Sequence, residues 1–232
     1  FILIDLEDTS IAAAYSKPYD RKSAPLNPVF SQTYEPGSII KLLTVFTYWR
    51  SGKEKLFPFE CKGREIIDGK VFHDWLKHGE VVNEEDALAV SCNIAFARMG
   101  LDVGFKTLSE TMDRFFFNSG VFTDGPLVLR TGSYKKDIAT NYRLANLAEG
   151  LNEISITTFH AGLISTVIAR NGSIDSPYLI KNQKNLMNLG FYNHSPKLLK
   201  VIEDNRNFSK LQKAMVYVVE APDGTGRRAR LE

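Results

Sequence analysis

The chain predicts a mixed α/β (α+β) fold in which short antiparallel strands alternate with amphipathic helices, and three features carry that prediction. Two short apolar runs, 1–6 and 11–15, meet at Glu7-Asp8-Thr9 and read as a β-hairpin. A second hairpin is written in Ile66-Ile67-Asp68-Gly69-Lys70-Val71-Phe72, where Asp-Gly suits the positive φ angles of a type I′ turn. Apolar residues recur elsewhere at helical spacing, most clearly Ile156, Phe159, Leu163, Ile164, Val167 and Ile168, a core stripe that stops at Asn171-Gly172.

The remaining elements follow from local chemistry. Residues 17–37 carry four of the nine prolines and read as loop. A helix over 38–50, closed by Ser51-Gly52, would bury Leu42, Val45, Phe46 and Trp49. Asn83 followed by Glu84, Glu85 and Asp86 marks a helix start, because a capping side chain precedes acids that favour the positive end of the dipole. That helix runs toward Ser91. Residues 94–99 look helical again and are followed by a helix over 105–117, which puts 91–93 at a junction between helices. Residues 124–136 read as loop and 141–148 as a short helix. Strands are expected over 177–180 and 197–202, and a last helix capped by Ser209 runs to Glu220. There is no internal repeat or low-complexity tract.

Composition excludes several function classes. A chain of 232 residues suffices for one domain burying roughly 70% of its unfolded surface, or for two small lobes. Hydrophobic residues at 44% and charged residues at 24% are ordinary globular values, and no apolar run approaches the roughly 18 residues of a transmembrane helix. The net charge is +2 with Lys and Arg scattered, so no nucleic-acid partner is expected, and Arg227-Arg228-Ala229-Arg230 reads as a solvated terminal segment. Cys61 and Cys92 are too few for a disulfide scaffold or a zinc site built on CxxC pairs, and they read as two free buried thiols. Phe1 leads straight into a strand, so the chain reads as a fragment whose targeting or anchoring segment lies upstream.

The chemistry-bearing segment is Tyr34-Glu-Pro-Gly-Ser38-Ile-Ile-Lys41. Residues three apart on a helix share a face, so Lys41's amine is expected within reach of Ser38's hydroxyl. Pro36-Gly37 sets a sharp entry, and the serine then occupies a helix N-terminus whose free N–H groups favour developing negative charge. The plain alternative is a serine N-cap before an exposed lysine. A second Ser-x-x-Lys, from Ser133 to Lys136, lies in loop-like sequence with no apolar periodicity behind it, and has almost no catalytic weight. Ser91-Cys92-Asn93 is the only Ser-x-Asn in the chain. Its hydroxyl and amide, two apart on a turn, can face one cavity, the first to relay a proton and the second to hold a carbonyl; an ordinary helix-capping turn is the alternative. His73-Asp74 and His78 flank Trp75 too irregularly for a metal site, and His160 falls beside a core stripe, so no metal and no cofactor are expected. Phe115, Phe116 and Phe117 read as core.

With these motifs in place the chain resembles the penicillin-binding, or D,D-transpeptidase, domain of the serine acyltransferases that share a fold with the serine β-lactamases, and is closest in flavour to the monofunctional class B enzymes. Tyr34 to Lys41 resembles the family's first motif, and Asp86-Ala-Leu-Ala-Val-Ser91-Cys-Asn93-Ile-Ala-Phe the second. Glu153-Ile-Ser-Ile-Thr-Thr158, with its long helix and Arg170-Asn-Gly172, is similar to a third landmark in which proline is commoner than Thr158. The starting hairpin also matches. The resemblance implies one transpeptidase domain over 1–232, an antiparallel sheet flanked by helices, with a mainly helical lobe over about 34–155.

It also implies a mechanism. Ser38 attacks the carbonyl between the terminal D-alanines of a peptidoglycan stem peptide, and Lys41 takes the proton. Ser91 shuttles a proton toward the leaving amine, Asn93 holds the substrate amide, and an amine of a neighbouring strand resolves the ester into a cross-link. β-Lactams would acylate the same serine, and other cell-wall synthesis proteins are possible partners. The implied location is extracytoplasmic, in the periplasm or on the outer face of the bacterial inner membrane, with an N-terminal anchor absent from this chain. The family's third motif, Lys-Thr-Gly or Lys-Ser-Gly on a strand lining the site, does not occur; Gly224-Thr225-Gly226 belongs to the helix and turn before it. The expectation is a domain incomplete at its C-terminal side, lacking central strands. Two alternatives remain: a noncatalytic scaffold in cell-wall assembly, or a β-lactam-hydrolysing or sensing relative.

Overall fold

The computed structural model describes residues 1–17, 27–53, 55–119, 121–124, 127–184 and 190–231. The chain forms two compact units. The first comprises 1–34, 113–133 and 155–205, and the second 35–112, 134–154 and 206–232. The helical lobe expected over about 34–155 thus gives up 113–133 to the first unit, and the second unit gains the C-terminal segment.

The first unit is built of antiparallel strand pairs and one central helix. Ile2–Ile4 pairs with Ile11–Ala14, as the opening apolar runs predict, and an isolated parallel bridge joins Ser10 to Tyr178. Thr158–Ala169 carries the predicted stripe and buries Phe159, Leu163, Ile164, Val167 and Ile168, while Ile156 belongs to the preceding strand Ile154–Thr157. His160 is a satisfied core histidine. Its Nδ1 accepts from the Gly132 N–H at 2.8 Å, its Nε2 lies 2.7 Å from the Phe115 carbonyl, and burial lowers its pKa to about 4.

Two expectations in this unit are corrected. Residues 124–136 are not loop: Val121–Asp124 pairs with Leu127–Arg130, and Ser133–Tyr134 is a further strand. Gly125-Pro126, whose composition suggested loop, lies outside the described residues between the paired strands. The strand expected over 177–180 reduces to the Tyr178 bridge, and its place is taken by Ser173–Asp175, paired with Leu198–Lys200. Parts of the proline-rich segment, 18–26, also lie outside the described residues.

The second unit is mainly helical. Gly37–Ile40 forms a 3-10 turn that leads into the helix Lys41–Arg50, which buries Leu43, Val45, Phe46 and Tyr48, with the ring of Phe208, from the helix Asn205–Glu220, tilted against that of Phe46 at 4.6 Å between centroids. Leu42 and Trp49 are only half buried, because Lys41, Thr44 and Thr47 take positions on the buried side. The last helix starts at Asn205, four residues before the expected cap at Ser209. Asn83 caps Glu84–Ala89 as predicted, its Oδ1 accepting from the Asp86 N–H at 2.8 Å. The two helices expected at 94–99 and 105–117 are both present within Asn93–Arg114, divided at Gly104, whose backbone is non-helical with φ 79°. The hairpin Arg64–Ile67 with Lys70–His73 turns through Asp68 at φ 49° and Gly69 at φ 74°, the predicted type I′ signature. Asp68 then caps a helix: its carboxylate accepts the Tyr142 N–H at 2.8 Å, at the start of Asn141–Glu149. Among the described residues no helix is long and apolar enough to cross a membrane.

Candidate active site

All four residues singled out by their motifs lie in the second unit, and three local devices bring them together. Gly37 takes a positive φ of 55°, so the chain turns sharply into the 3-10 turn that carries Ser38. The helix Asn141–Glu149 ends on Gly150 at φ 93°, and the carbonyl of Gly150 accepts the Gly37 N–H at 3.0 Å. A Cβ on Gly150 would lie 2.1 Å from the Gly37 oxygen, so the approach requires glycine. Ser91 holds φ 55°, uncommon for a residue with a side chain, at the junction between Glu84–Ala89 and the helix starting at Asn93.

The side chains form one connected network. Ser38 Oγ lies 2.8 Å from Ser91 Oγ. The Lys41 ammonium donates to the Ser91 carbonyl at 2.7 Å, to Ser91 Oγ at 3.0 Å and to Asn93 Oδ1 at 2.5 Å. The expected contact between Lys41 and Ser38 is therefore indirect, through the Ser91 hydroxyl. The physical reason is the valence of a buried ammonium: Lys41 is 1% exposed and has three N–H bonds to satisfy, and the Ser91-Asn93 turn supplies three acceptors. Because Asn93 Oδ1 is occupied by Lys41, the amide's NH2 remains as its free donor.

Burial lowers the Lys41 pKa from the ordinary 10.5 to about 8, against the opposing pull of Glu149 and Asp74. Glu149 is the residue the motifs missed. It is 5% exposed, its Oε2 has no hydrogen-bond partner, and burial raises its pKa to about 7 even though Lys41 pulls it down. Its sequence did carry a signal: an acid in the last turn of a helix, just before a glycine cap, opposes the helix dipole. Ser38, Ser91, Asn93, Glu149, Trp75 and Thr225 line a cavity of about 500 Å3. Thr225 sits in the turn after the last helix, as expected, and its N–H and hydroxyl are both spent on the Ala89 carbonyl at 2.9 and 3.2 Å.

Other candidates fall as follows. The second Ser-x-x-Lys does not build a site: among the described residues Ser133 Oγ meets only Ser155 Oγ, at 3.4 Å, and Lys136 is exposed. Phe115 and Phe117 are core residues, and Phe116 is half buried. Cys61 and Cys92 are free and buried, and their sulfurs lie with a carboxylate oxygen of Asp74 within 4.8 Å of one another.

Three comparisons bear on this arrangement. A family model described as the penicillin binding protein transpeptidase domain matches residues 1–232. Penicillin-binding protein 3 of Bacillus subtilis is 26% identical over 174 residues, covering 69% of this chain and 25% of its own length. The peptidoglycan D,D-transpeptidase PbpA of Mycolicibacterium smegmatis is 26% identical over 184 residues, covering 75% of this chain and 36% of that protein. The chain thus spans about a quarter to a third of the length of these relatives. Among solved structures, the D,D-transpeptidase domain of a peptidoglycan glycosyltransferase from Eggerthella lenta superposes with a TM-score of 0.86 at 20% identity, covering 99% of this chain and 62% of that one, and so shares its fold.

Proposed function

We propose, for a chain that belongs to the penicillin-binding protein transpeptidase domain family, that Ser38 is the nucleophile of a penicillin-sensitive D,D-transpeptidase that cross-links peptidoglycan stem peptides through a serine acyl-enzyme. The single observation that carries this reading is the hydroxyl chain from Ser38 Oγ to Ser91 Oγ, at 2.8 Å, and on to Lys41 Nζ, at 3.0 Å. When Ser38 Oγ attacks the carbonyl between two terminal D-alanines, its proton passes to Ser91 as the Ser91 proton passes to Lys41. Lys41 must be neutral to accept it, and a pKa near 8 gives a usable neutral fraction at neutral pH. The return path delivers the proton to the departing amine as the C–N bond breaks. Asn93, its oxygen fixed by Lys41, offers its NH2 to a carbonyl of the bound peptide. A primary amine of a neighbouring stem peptide then takes the acyl group and frees Ser38.

β-Lactams present a strained amide to the same serine. The polymer substrate places the work outside the cytoplasm, and other proteins of cell-wall synthesis are the natural partners. Labelling with a fluorescent penicillin tests the assignment: Ser38→Ala is expected to abolish it, and undiminished labelling of that variant would overturn it.

A second reading, a β-lactam-hydrolysing relative, is favoured by one observation: the unpartnered Oε2 of Glu149 on the wall of the same cavity, where it could take a proton from water attacking the ester. The deacylation rate of the penicilloyl enzyme separates the two. Slow release supports the transpeptidase, and fast release that slows in Glu149→Gln supports hydrolysis.

A further inference from the structure

Among the described residues that line the cavity shared by Ser38, Ser91 and Asn93, Glu149 is the one that carries a charge, and the acylation steps leave it unused. Its place beside the nucleophile is set by backbone. The Gly37 N–H donates to the Gly150 carbonyl at 3.0 Å, so the residue before Gly150 is held close to the residue after Gly37, which is Ser38.

The fold does not spend that charge. Lys41 is the cation that acts on Glu149, yet its hydrogen bonds go to the Ser91 carbonyl, Ser91 Oγ and Asn93 Oδ1, which uses all three N–H bonds of an ammonium. Glu149 Oε2 is left without a hydrogen-bond partner although the residue is only 5% exposed. A buried carboxylate oxygen without a donor is an unfavourable arrangement, and an arriving N–H group removes it. Rotation about the last, softly two-fold torsion of a glutamate exchanges its two oxygens, so either can turn to the cavity.

The sign of the charge selects the ligand. The donor stem peptide ends in a carboxylate, which a carboxylate on the cavity wall repels. The attacking stem peptide brings a primary amine, and an alkyl amine that titrates near about 10.4 is an ammonium at neutral pH. Such a group offers three N–H donors to a carboxylate, but its nitrogen has no lone pair until one proton is removed. Trp75, 59% exposed, lines the same cavity and adds an aromatic surface of the kind that attracts cations.

We propose that Glu149 binds the ammonium group of the incoming stem peptide beside Ser38 and takes from it the proton that frees the nitrogen to attack the acyl-enzyme. The inference rests on the acylation reading given above. The carboxylate accepts one proton from the ammonium, and the freed lone pair forms a bond to the ester carbonyl carbon. The bond from that carbon to Ser38 Oγ breaks as a second nitrogen proton reaches the oxygen through Lys41 and Ser91. The products are the new amide and a free Ser38 hydroxyl, and the proton held by Glu149 leaves to solvent. A base whose pKa lies near the working pH suits this task, and burial brings Glu149 to about 7.

The test lets two nucleophiles compete for one acyl-enzyme. The whole protein is acylated by an N-acyl-D-alanine thioester in a mixture of Nα-acetyl-lysine amide, whose side chain is an ammonium at neutral pH, and hydroxylamine, which is uncharged there. Mass spectrometry gives the ratio of amide to hydroxamate. Both products arise from the same intermediate, so the ratio does not depend on how fast that intermediate forms. Glu149→Gln is expected to lower the ratio at least about 10-fold. A ratio within a factor of two of wild type would overturn the inference, because a carboxylate that served every nucleophile alike, or served only packing, would leave it unmoved.

A second measurement needs no variant. With Glu149 as the base, the wild-type ratio should rise with pH up to about 7 and then level. Lys41 and Asp74 are the charged groups that act on Glu149, the first lowering and the second raising its pKa, so the midpoint reports on all three. Without such a base only the free amine reacts, and the ratio climbs about tenfold per pH unit toward about 10.4; that climb would overturn the inference even if Glu149→Gln failed to fold. A wild-type protein that releases no thiol from the thioester would instead overturn the acylation reading, and this inference with it.

Discussion

The hydroxyl oxygens of Ser38 and Ser91 lie 2.8 Å apart, and it is Ser91, not Ser38, that receives the Lys41 ammonium. On the proposed reading Lys41 acts on the nucleophile through a relay, and removing the relay should damage acylation without removing the nucleophile. Ser91→Ala is expected to slow acylation by penicillin about 10²–10⁴-fold, while Ser38→Ala eliminates it. Both would be read as second-order labelling rates with a fluorescent penicillin. A Ser91→Ala rate within a factor of two of wild type would mean that Lys41 reaches Ser38 directly.

The second expectation concerns pH. A base with a pKa of about 8 accepts protons only when neutral, so acylation should rise as pH increases through 8 and then level. Glu149 raises the Lys41 pKa by its charge, so Glu149→Gln should move the midpoint of that profile to lower pH. A profile that stays in place in Glu149→Gln would show that the two groups are not electrostatically linked.

The same pair of groups shapes stability, with opposite signs. The Glu149 pKa is raised from 4.5 to about 7, so the folded state binds the extra proton between those values. Its contribution is fully present below about 4.5 and is lost as pH rises through 7. Lys41, lowered from 10.5 to about 8, behaves in the other direction: the unfolded state binds more protons between those values, and stability rises with pH across them. The difference in Tm between wild type and Glu149→Gln should therefore shift against the wild type between pH 4.5 and 7. A pH-independent difference would contradict the raised pKa.

These expectations divide between what the sequence displayed and what only folding could assemble. Ser38 and Lys41, Ser91 and Asn93, the Asp68-Gly69 turn and the Asn83 cap were legible because each depends on residues within a few positions of one another. The distribution of hydrogen bonds on Lys41 was not, because it depends on the left-handed backbone of Ser91, 50 residues away. Glu149 carried only the local signal of an acid at a helix C-terminus, and its place in the cavity was not legible, because it follows from Gly150 meeting Gly37, a contact of two glycines with no side-chain signature. The loop expected over 124–136 failed because the Gly-Pro composition at 125–126 hid the strand signal of the residues on either side.

Capping at the entrance to the second motif makes a stability test that leaves the site chemistry alone. Asn83 Oδ1 accepts the Asp86 N–H at 2.8 Å, and Asp86 Oδ2 accepts the Val82 N–H at 3.1 Å, a reciprocal cap at the helix that leads to Ser91. Asn83→Ala is expected to cost about 1 kcal/mol in urea unfolding, and Asn83→Asp much less. Equal losses in the two variants would assign the effect to something other than the cap.

The contact between Gly150 and Gly37 gives the sharpest structural expectation. An added Cβ at Gly150 would sit 2.1 Å from a carbonyl oxygen of the turn that positions Ser38, and the backbone there is at φ 93°. Both costs apply at once: backbone strain of about 1–3 kcal/mol and a collision with backbone that no rotamer can relieve. Gly150→Ala should therefore destabilise by roughly 3 kcal/mol or more and, in whatever fraction stays folded, displace Ser38 from Ser91 and slow acylation. Gly69→Ala is the matched control. It shares a positive φ, 74°, but nothing lies within 4 Å of its Cβ, so it should lose only about 1 kcal/mol and acylate at the wild-type rate. Chemical denaturation and penicillin labelling of the two variants side by side separate strain from collision. If Gly150→Ala matched Gly69→Ala in both measurements, the close approach would have no part in placing the nucleophile.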